Sequence, residues 1–318
     1  MRTSRATIEK LPKIELHCHL DGSISMQTIR QLAQQAGIEL PVSDEDLRLK
    51  ITAPQNAESL MDYLAPFDFV LPMLQTETSL ELAAYDILEQ AQKDNIRYME
   101  IRFAPTLHTA AGLTLSQVVA AVIRGLAAGE RDFQVKANAL LCGMRHESVD
   151  SVLTVVDLFA DGGLTHLAGF DLAGVEVDGF PEHFAPVLEK VKLNQIPLTL
   201  HAGASRIGHG VALKDVPGNW EALVADKIAI EMAPTSNFQT KAVDTLANYP
   251  FKKLLDAGVR VTINTDNRTV SGTTLNDEYE KIAGWYDLSE AEFRQIGRHA
   301  FEASFMSPEQ RDALISEF

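Results

Sequence analysis

Strand-like and helix-like segments alternate along nearly the whole of this chain, and that alternation limits the folds open to it more than any single motif. Short runs of apolar and β-branched residues bounded by Gly, Pro or Asp read as strands, and the longer periodic stretches between them read as helices. Strands are expected at 14–20, 97–104, 135–142, 166–172, 196–201, 206–210, 228–233 and 259–265. Helices are expected at 26–36, from caps at Thr78 and Ser79 through Lys93, and at 115–128 and 149–159. Further helices are expected from Pro181 to about Leu193, at 220–225, and at 240–257 with a break near Pro250. From about Leu275 the remainder reads as helical. This order argues for parallel strands joined by helical crossovers. Eight such units predict one (β/α)8 TIM barrel over 1–318. A doubly wound open sheet competes with it, but no Gly-rich phosphate loop follows the first strand. Residues 60–74 are apolar and aromatic, interrupted by Pro66 and Pro72. They read either as a core helix pair or as a lid, over about 58–75, covering an apolar ligand.

The 318 residues are 46% hydrophobic, enough to fill a barrel core, and carry a formal charge of −16. Such an acidic surface repels nucleic-acid backbones and anionic membranes, so neither is an expected partner. The two cysteines, Cys18 and Cys142, do not make a disulfide framework. No apolar run is long enough to span a bilayer, and the first 13 residues lack the core of a signal peptide. A reducing cytoplasm fits these features.

The candidate chemistry begins in the first strand. Side chains on a strand alternate, so His17 and His19 share one side and Cys18 faces the other as a small buried hydrophobe. Two imidazoles so placed can bind one metal ion through neutral nitrogens, or be two unrelated polar groups. A barrel places its chemistry at the carboxyl ends of its strands. There His201 ends strand five, His209 lies in strand six and Asp266 follows strand eight. Alone, each would more often be a capping or core polar residue. Together they form a nitrogen- and oxygen-rich set suited to zinc.

The run His17-Cys18-His19-Leu20-Asp21-Gly22-Ser23 resembles the opening motif of the adenosine deaminase family, within the metal-dependent amidohydrolases. The resemblance continues through MEIRFAP (99–105), GFDLAGVE (169–176), LHAG (200–203), RIGHG (206–210), APTSN (233–237) and TINTDN (262–267), in order and over essentially the whole chain. It implies that His17, His19, His201 and Asp266 ligate one zinc per chain. His209 would orient the attacking water and move a proton, with Asp266 as its partner. Asp21 would bind the ribose, the Gly174 backbone would approach the purine, and Asn267 would donate to purine N7. The implied reaction is hydrolytic deamination of adenosine, and of 2′-deoxyadenosine, with a purine nucleoside as the small-molecule partner. Asn267 and the following 268–272 resemble the bacterial adenosine-type branch rather than the adenine-base branch.

One departure stands out. The family carries a glutamate directly after HAG as the general acid for purine N1, and here the residue is Ala204. Geometry points to the same place. Neighbouring parallel strands need a crossover of about a dozen residues, and 202–205 cannot supply one. Three explanations follow: the molecule carries a segment that this sequence lacks, the deletion is real and the barrel is remodelled, or 206–210 is a loop and the barrel has seven strands or is open. The intact flanking motifs favour the first. A rival to the deaminase is a nucleoside-binding relative without turnover; another is an amidohydrolase for a different aminopurine.

Overall fold

A computed structural model describes residues 2–54, 57, 59–160, 165–174, 180–200 and 205–318. Its centre is a sheet of eight strands: β1 (Lys13–His19), β2 (Ile96–Phe103), β3 (Lys136–Met144), β4 (Leu167–Ala173), β5 (Leu198–Leu200), β6 (Arg206–Gly208), β7 (Ala229–Met232) and β8 (Arg260–Ile263). They follow one another in sequence order and every neighbouring pair is parallel. The last turn of the wall is closed by a parallel bridge between Cys18 and Asp266. There the His19 N–H donates to the Asp266 carbonyl at 2.7 Å, and the Asp266 N–H donates to the His17 carbonyl at 2.9 Å. The barrel predicted from the alternation is therefore present.

The strands are almost wholly buried, as helices on the outside and side chains on the inside require. Outer helices such as Met26–Ala36 and Leu115–Phe133 bury an apolar stripe, Ile29, Leu32 and Val118, Val122 and Leu126, in the hydrophobic core. The helix Glu77–Lys93 starts earlier than its expected caps at Thr78 and Ser79. Thr76 is its cap, and Ser79 is the third residue of a capping box that returns a bond to Thr76.

Two expectations fail. The stretch 240–257 is not one broken helix: a helix Pro234–Gln239 precedes it, a short 3-10 turn covers Leu246–Asn248, and only Phe251–Asp256 is helical. Pro250 explains part of this, because it disfavours helical backbone at Tyr249, which is extended at φ −78° and ψ 115°. The seven-stranded alternative also falls. β5 and β6 both exist among the described residues, pairing Thr199 with Arg206 and Leu200 with Ile207. The segment 60–74 forms a helix, Leu60–Val70, that contains Pro66, then a 3-10 turn Leu71–Met73. Its Tyr63 packs with Ala53 and Val270, beside the loop after β8.

Candidate active site

The carboxyl ends of the strands gather the predicted residues. His19 is the last residue of β1, and its ring centroid lies 5.4 Å from that of His17. His209 comes one residue after β6, not within it. Its φ of 57° and the 63° of Asp266 are both left-handed. Non-glycine residues held this way cost about 1–3 kcal/mol each, a strain that gathers at functional sites. The turn swings His209 toward β1, so its ring centroid stands 4.8 Å from that of His17.

Asp266 is the point of convergence. Nε2 of His17 and Nε2 of His19 each lie 3.3 Å from Asp266 Oδ1, and His209 Nε2 lies 4.0 Å from Oδ2. Ligand atoms of His17, His209 and Asp266 all lie within 4.8 Å of one another. Two ligands about 2.0–2.2 Å from a tetrahedral zinc stand roughly 3.3–3.5 Å apart, so the 3.3 Å spacings of His17 and His19 to Asp266 fit a shared ion and the 4.0 Å of His209 is longer. Protonation fits as well. Burial pushes His19 down to about 3 and His209 to about 4, leaving neutral imidazoles. Burial works against charge on Asp266, but the His17 hydrogen bond and the neighbouring imidazoles outweigh it and keep the carboxylate ionised. His201, the fourth expected ligand, and Ala204 lie outside the described residues.

The partners of the second ring nitrogen separate the roles of His17 and His209. His17 Nδ1 lies 2.9 Å from Glu231 Oε2, a carboxylate that can only accept, so Nδ1 carries a proton and Nε2 is the nitrogen turned to the centre. His209 Nδ1 lies 2.9 Å from Asn237 Nδ2, and Asn237 Oδ1 accepts from Tyr249 Oη at 3.2 Å. An amide so oriented donates to His209 Nδ1, which puts the proton of the neutral ring on Nε2. His209 then faces the centre as a hydrogen-bond donor, in keeping with orienting a water rather than ligating. Ser236 completes the shell by donating to Asp266 Oδ2 at 2.6 Å.

Beneath the histidines lies a buried ionic network that the strand pattern does not announce. Glu231 receives Arg102 at 2.8 Å and Arg206 at 2.6 Å, and Arg102 also reaches Asp171 at 2.9 Å. Arg206 pairs in addition with Glu100. Burial opposes the charge on Glu231, but the two guanidiniums hold it well below the usual carboxylate range. Burial and Arg102 oppose charge on His17, while Asp266 and Glu231 outweigh them and raise it. The only signal in the sequence was charged residues inside apolar strands, Arg102 in β2 and Glu231 in β7.

The remaining predicted residues surround this centre. Asp21 is buried just past β1, and burial pushes its carboxyl up to about 6. Gly174 directly follows β4 at φ +97°, a conformation side chains rarely adopt, while a Cβ there would meet only ordinary contacts. Asn267 is 3% exposed and donates through Nδ2 to Tyr63 Oη at 2.9 Å. Gly22 is pressed against it, since a Cβ on Gly22 would fall 1.9 Å from Asn267 Oδ1. Cys18 is fully buried and turned away from the site, with its Sγ 3.3 Å from Ser23 Oγ.

Comparison with known proteins points one way. The adenosine deaminase family model matches residues 12–318. The chain is 47% identical to adenosine deaminase of Lactococcus lactis over 329 positions, covering 98% of this chain and 94% of that protein. It is 49% identical to adenosine deaminase of Enterococcus faecalis, covering 96% of each. Among solved structures, adenine deaminase from Arthrobacter aurescens superposes with a TM-score of 0.86 at 28% identity, covering 96% of this chain and 98% of that one. Arabidopsis ADAL complexed with IMP superposes with a TM-score of 0.84 at 26% identity, covering 97% and 96%. The Lactococcus alignment runs over more positions than the 318 residues of this chain, so that relative has residues with no counterpart here.

Proposed function

This chain belongs to the adenosine deaminase family, and from that premise we propose that it deaminates adenosine and 2′-deoxyadenosine hydrolytically. One water is consumed, the bond from C6 to the exocyclic nitrogen breaks, and inosine or 2′-deoxyinosine leaves with ammonia. The observation that carries the reading is the convergence of His17 and His19 on Asp266, each at 3.3 Å, at the carboxyl end of the barrel.

His17, His19, His201 and Asp266 are the residues proposed to hold one zinc ion. The chemistry that zinc would supply is a water whose pKa is lowered to about 7. His209 orients the attacking water through Nε2 and takes part in proton transfer, with Asp266 as its partner. Asp21 binds the ribose, Gly174 lets the backbone approach the purine, and Asn267 donates an amide N–H to N7. The helix Leu60–Val70 serves as the lid. This is a step of purine metabolism suited to the cytoplasm, where free thiols such as the buried Cys18 and Cys142 persist. Among the described residues no helix is long and apolar enough to cross a membrane.

A second reading is favoured by one observation. Ala204 stands where the family carries the general acid, and only five residues separate Leu200 of β5 from Arg206 of β6 in the sequence. Such a protein binds nucleoside and turns it over slowly or not at all. A third reading, an amidohydrolase for another aminopurine, shares the metal site. Incubation with adenosine, following the ultraviolet change to inosine, tests the first. Conversion that a chelator abolishes and zinc restores is the expected result. Binding without conversion favours the second reading, and neither binding nor conversion overturns adenosine as substrate.

A further inference from the structure

The hydroxyl of Tyr63 lies inside the substrate side of the site and has no part in the reading above. Tyr63 is 2% exposed, on the helix Leu60–Val70. Its Oη accepts from Asn267 Nδ2 at 2.9 Å and lies 2.8 Å from Ser271 Oγ. Asn267 itself is fixed at both ends. Its Nδ2 faces Tyr63, and its Oδ1 sits against Gly22, where a bare oxygen fits and an amino group with two protons would crowd. Oδ1 is buried with no hydrogen-bond partner among the described residues. A carboxamide has two N–H donors on one side and only acceptors on the other, so which side faces a ligand decides what it recognises. Rotated by half a turn, Asn267 would offer an acceptor to a ring nitrogen that is itself an acceptor.

We propose that Tyr63 is a positioning residue for purine recognition: by taking one N–H of Asn267 it fixes the carboxamide and leaves the second N–H for the acceptor nitrogen of the five-membered ring. The role rests on the reading that this site binds a purine nucleoside. Tyr63 touches Asn267 and not the reacting atoms, so its effect falls on discrimination between ligands.

The test compares equilibrium binding of inosine and 7-deazainosine, which differ at that nitrogen, to the zinc-loaded wild type and to Tyr63→Phe. Wild type is expected to favour inosine by roughly two- to tenfold, the worth of one neutral hydrogen bond. In Tyr63→Phe the ratio should fall toward one, through weaker inosine binding with 7-deazainosine unchanged. A wild-type ratio near one, or a variant that keeps the wild-type ratio, overturns the proposal. If wild type binds neither compound, the nucleoside reading fails, and amide hydrogen exchange on the ligand-free protein decides the Tyr63–Asn267 link. Tyr63→Phe and Asn267→Ala should each speed exchange in 60–70 by a similar few-fold, the double variant no further, with 290–303 unchanged. Unaltered exchange in 60–70 overturns the link.

Discussion

Glu231 Oε2 lies 2.9 Å from His17 Nδ1 while its carboxylate receives both Arg102 and Arg206 with no solvent exposure. Three charges and an imidazole are thus settled by one side chain on β7. Glu231→Gln keeps the shape and removes the charge that Arg102 and Arg206 share, leaving Arg102 with Asp171 and Arg206 with Glu100 as its carboxylate partner. A hydrogen bond to a charged group is worth about 1.5–3 kcal/mol, so unfolding in denaturant should shift by roughly that amount. Zinc affinity, measured by competition with a chelator, should fall about 10–100-fold as His17 loses its orienting partner. Unchanged zinc affinity in a folded variant would show that Glu231 does not set the His17 tautomer.

Gly22→Ala places a methyl in the space that Asn267 Oδ1 occupies. Overpacking of this kind typically costs about 1–3 kcal/mol. The same substitution made together with Asn267→Ala should cost clearly less, because the atom it strikes is gone. Additive losses in denaturant unfolding would place the strain elsewhere.

His108 gives the fold an acid sensitivity away from the metal-ligand cluster. Its ring is fully buried, Nδ1 lies 3.0 Å from the Leu74 carbonyl, and burial pushes its pKa from the ordinary 6.5 down to about 4. Above pH 6.5 both folded and unfolded forms are neutral there and nothing is lost. As pH falls from 6.5 toward 4 the unfolded chain binds a proton that the folded chain refuses, so stability drops by about 3 kcal/mol in all. His108→Asn retains a donor for Leu74 without the titration. Its unfolding midpoint should change less between pH 7 and 4.5 than that of the wild type, and equal changes would refute the assignment.

Turnover and intact mass together decide what Ala204 means. The 318 residues weigh 34.9 kDa. At that mass no carboxyl follows Gly203, and adenosine turnover should fall about 10²–10⁴ below glutamate-bearing relatives. A comparable rate at 34.9 kDa would sink the idea that the glutamate's loss limits this chain. A mass greater by about one helix and its loops would mean that the molecule carries the crossover.

The barrel was legible because strands buried on both faces leave apolar runs, and punctuation by Gly and Pro separates them. His17, His19 and Asp266 were legible because strand-end position and ligand chemistry coincide. Arg102, Glu231 and Arg206 were not, since their meaning lies in partners far along the chain that no local period encodes. Asn237 and Ser236 sat inside a motif already noticed, yet only the approach of His209 and Asp266 gives them work. His209 was misplaced by one residue because a left-handed turn, not a strand, aims it. Tyr63 read as one more apolar position, and its hydroxyl acquires a partner only across the fold.

The closeness in sequence of β5 and β6 has a kinetic consequence. Thr199 meets Arg206 across a few residues, whereas β1 and β2 first meet by joining Lys13 to Ile96. Loop-closure entropy grows with the logarithm of length, and each doubling adds about 0.6 kcal/mol. Most parallel contacts in a barrel must wait for a helix to bring the strands together. This one is as local as a hairpin, free to zip on a microsecond scale before any outer helix is in place. The pairing of β5 with β6 is therefore the point from which the barrel wall has the shortest search.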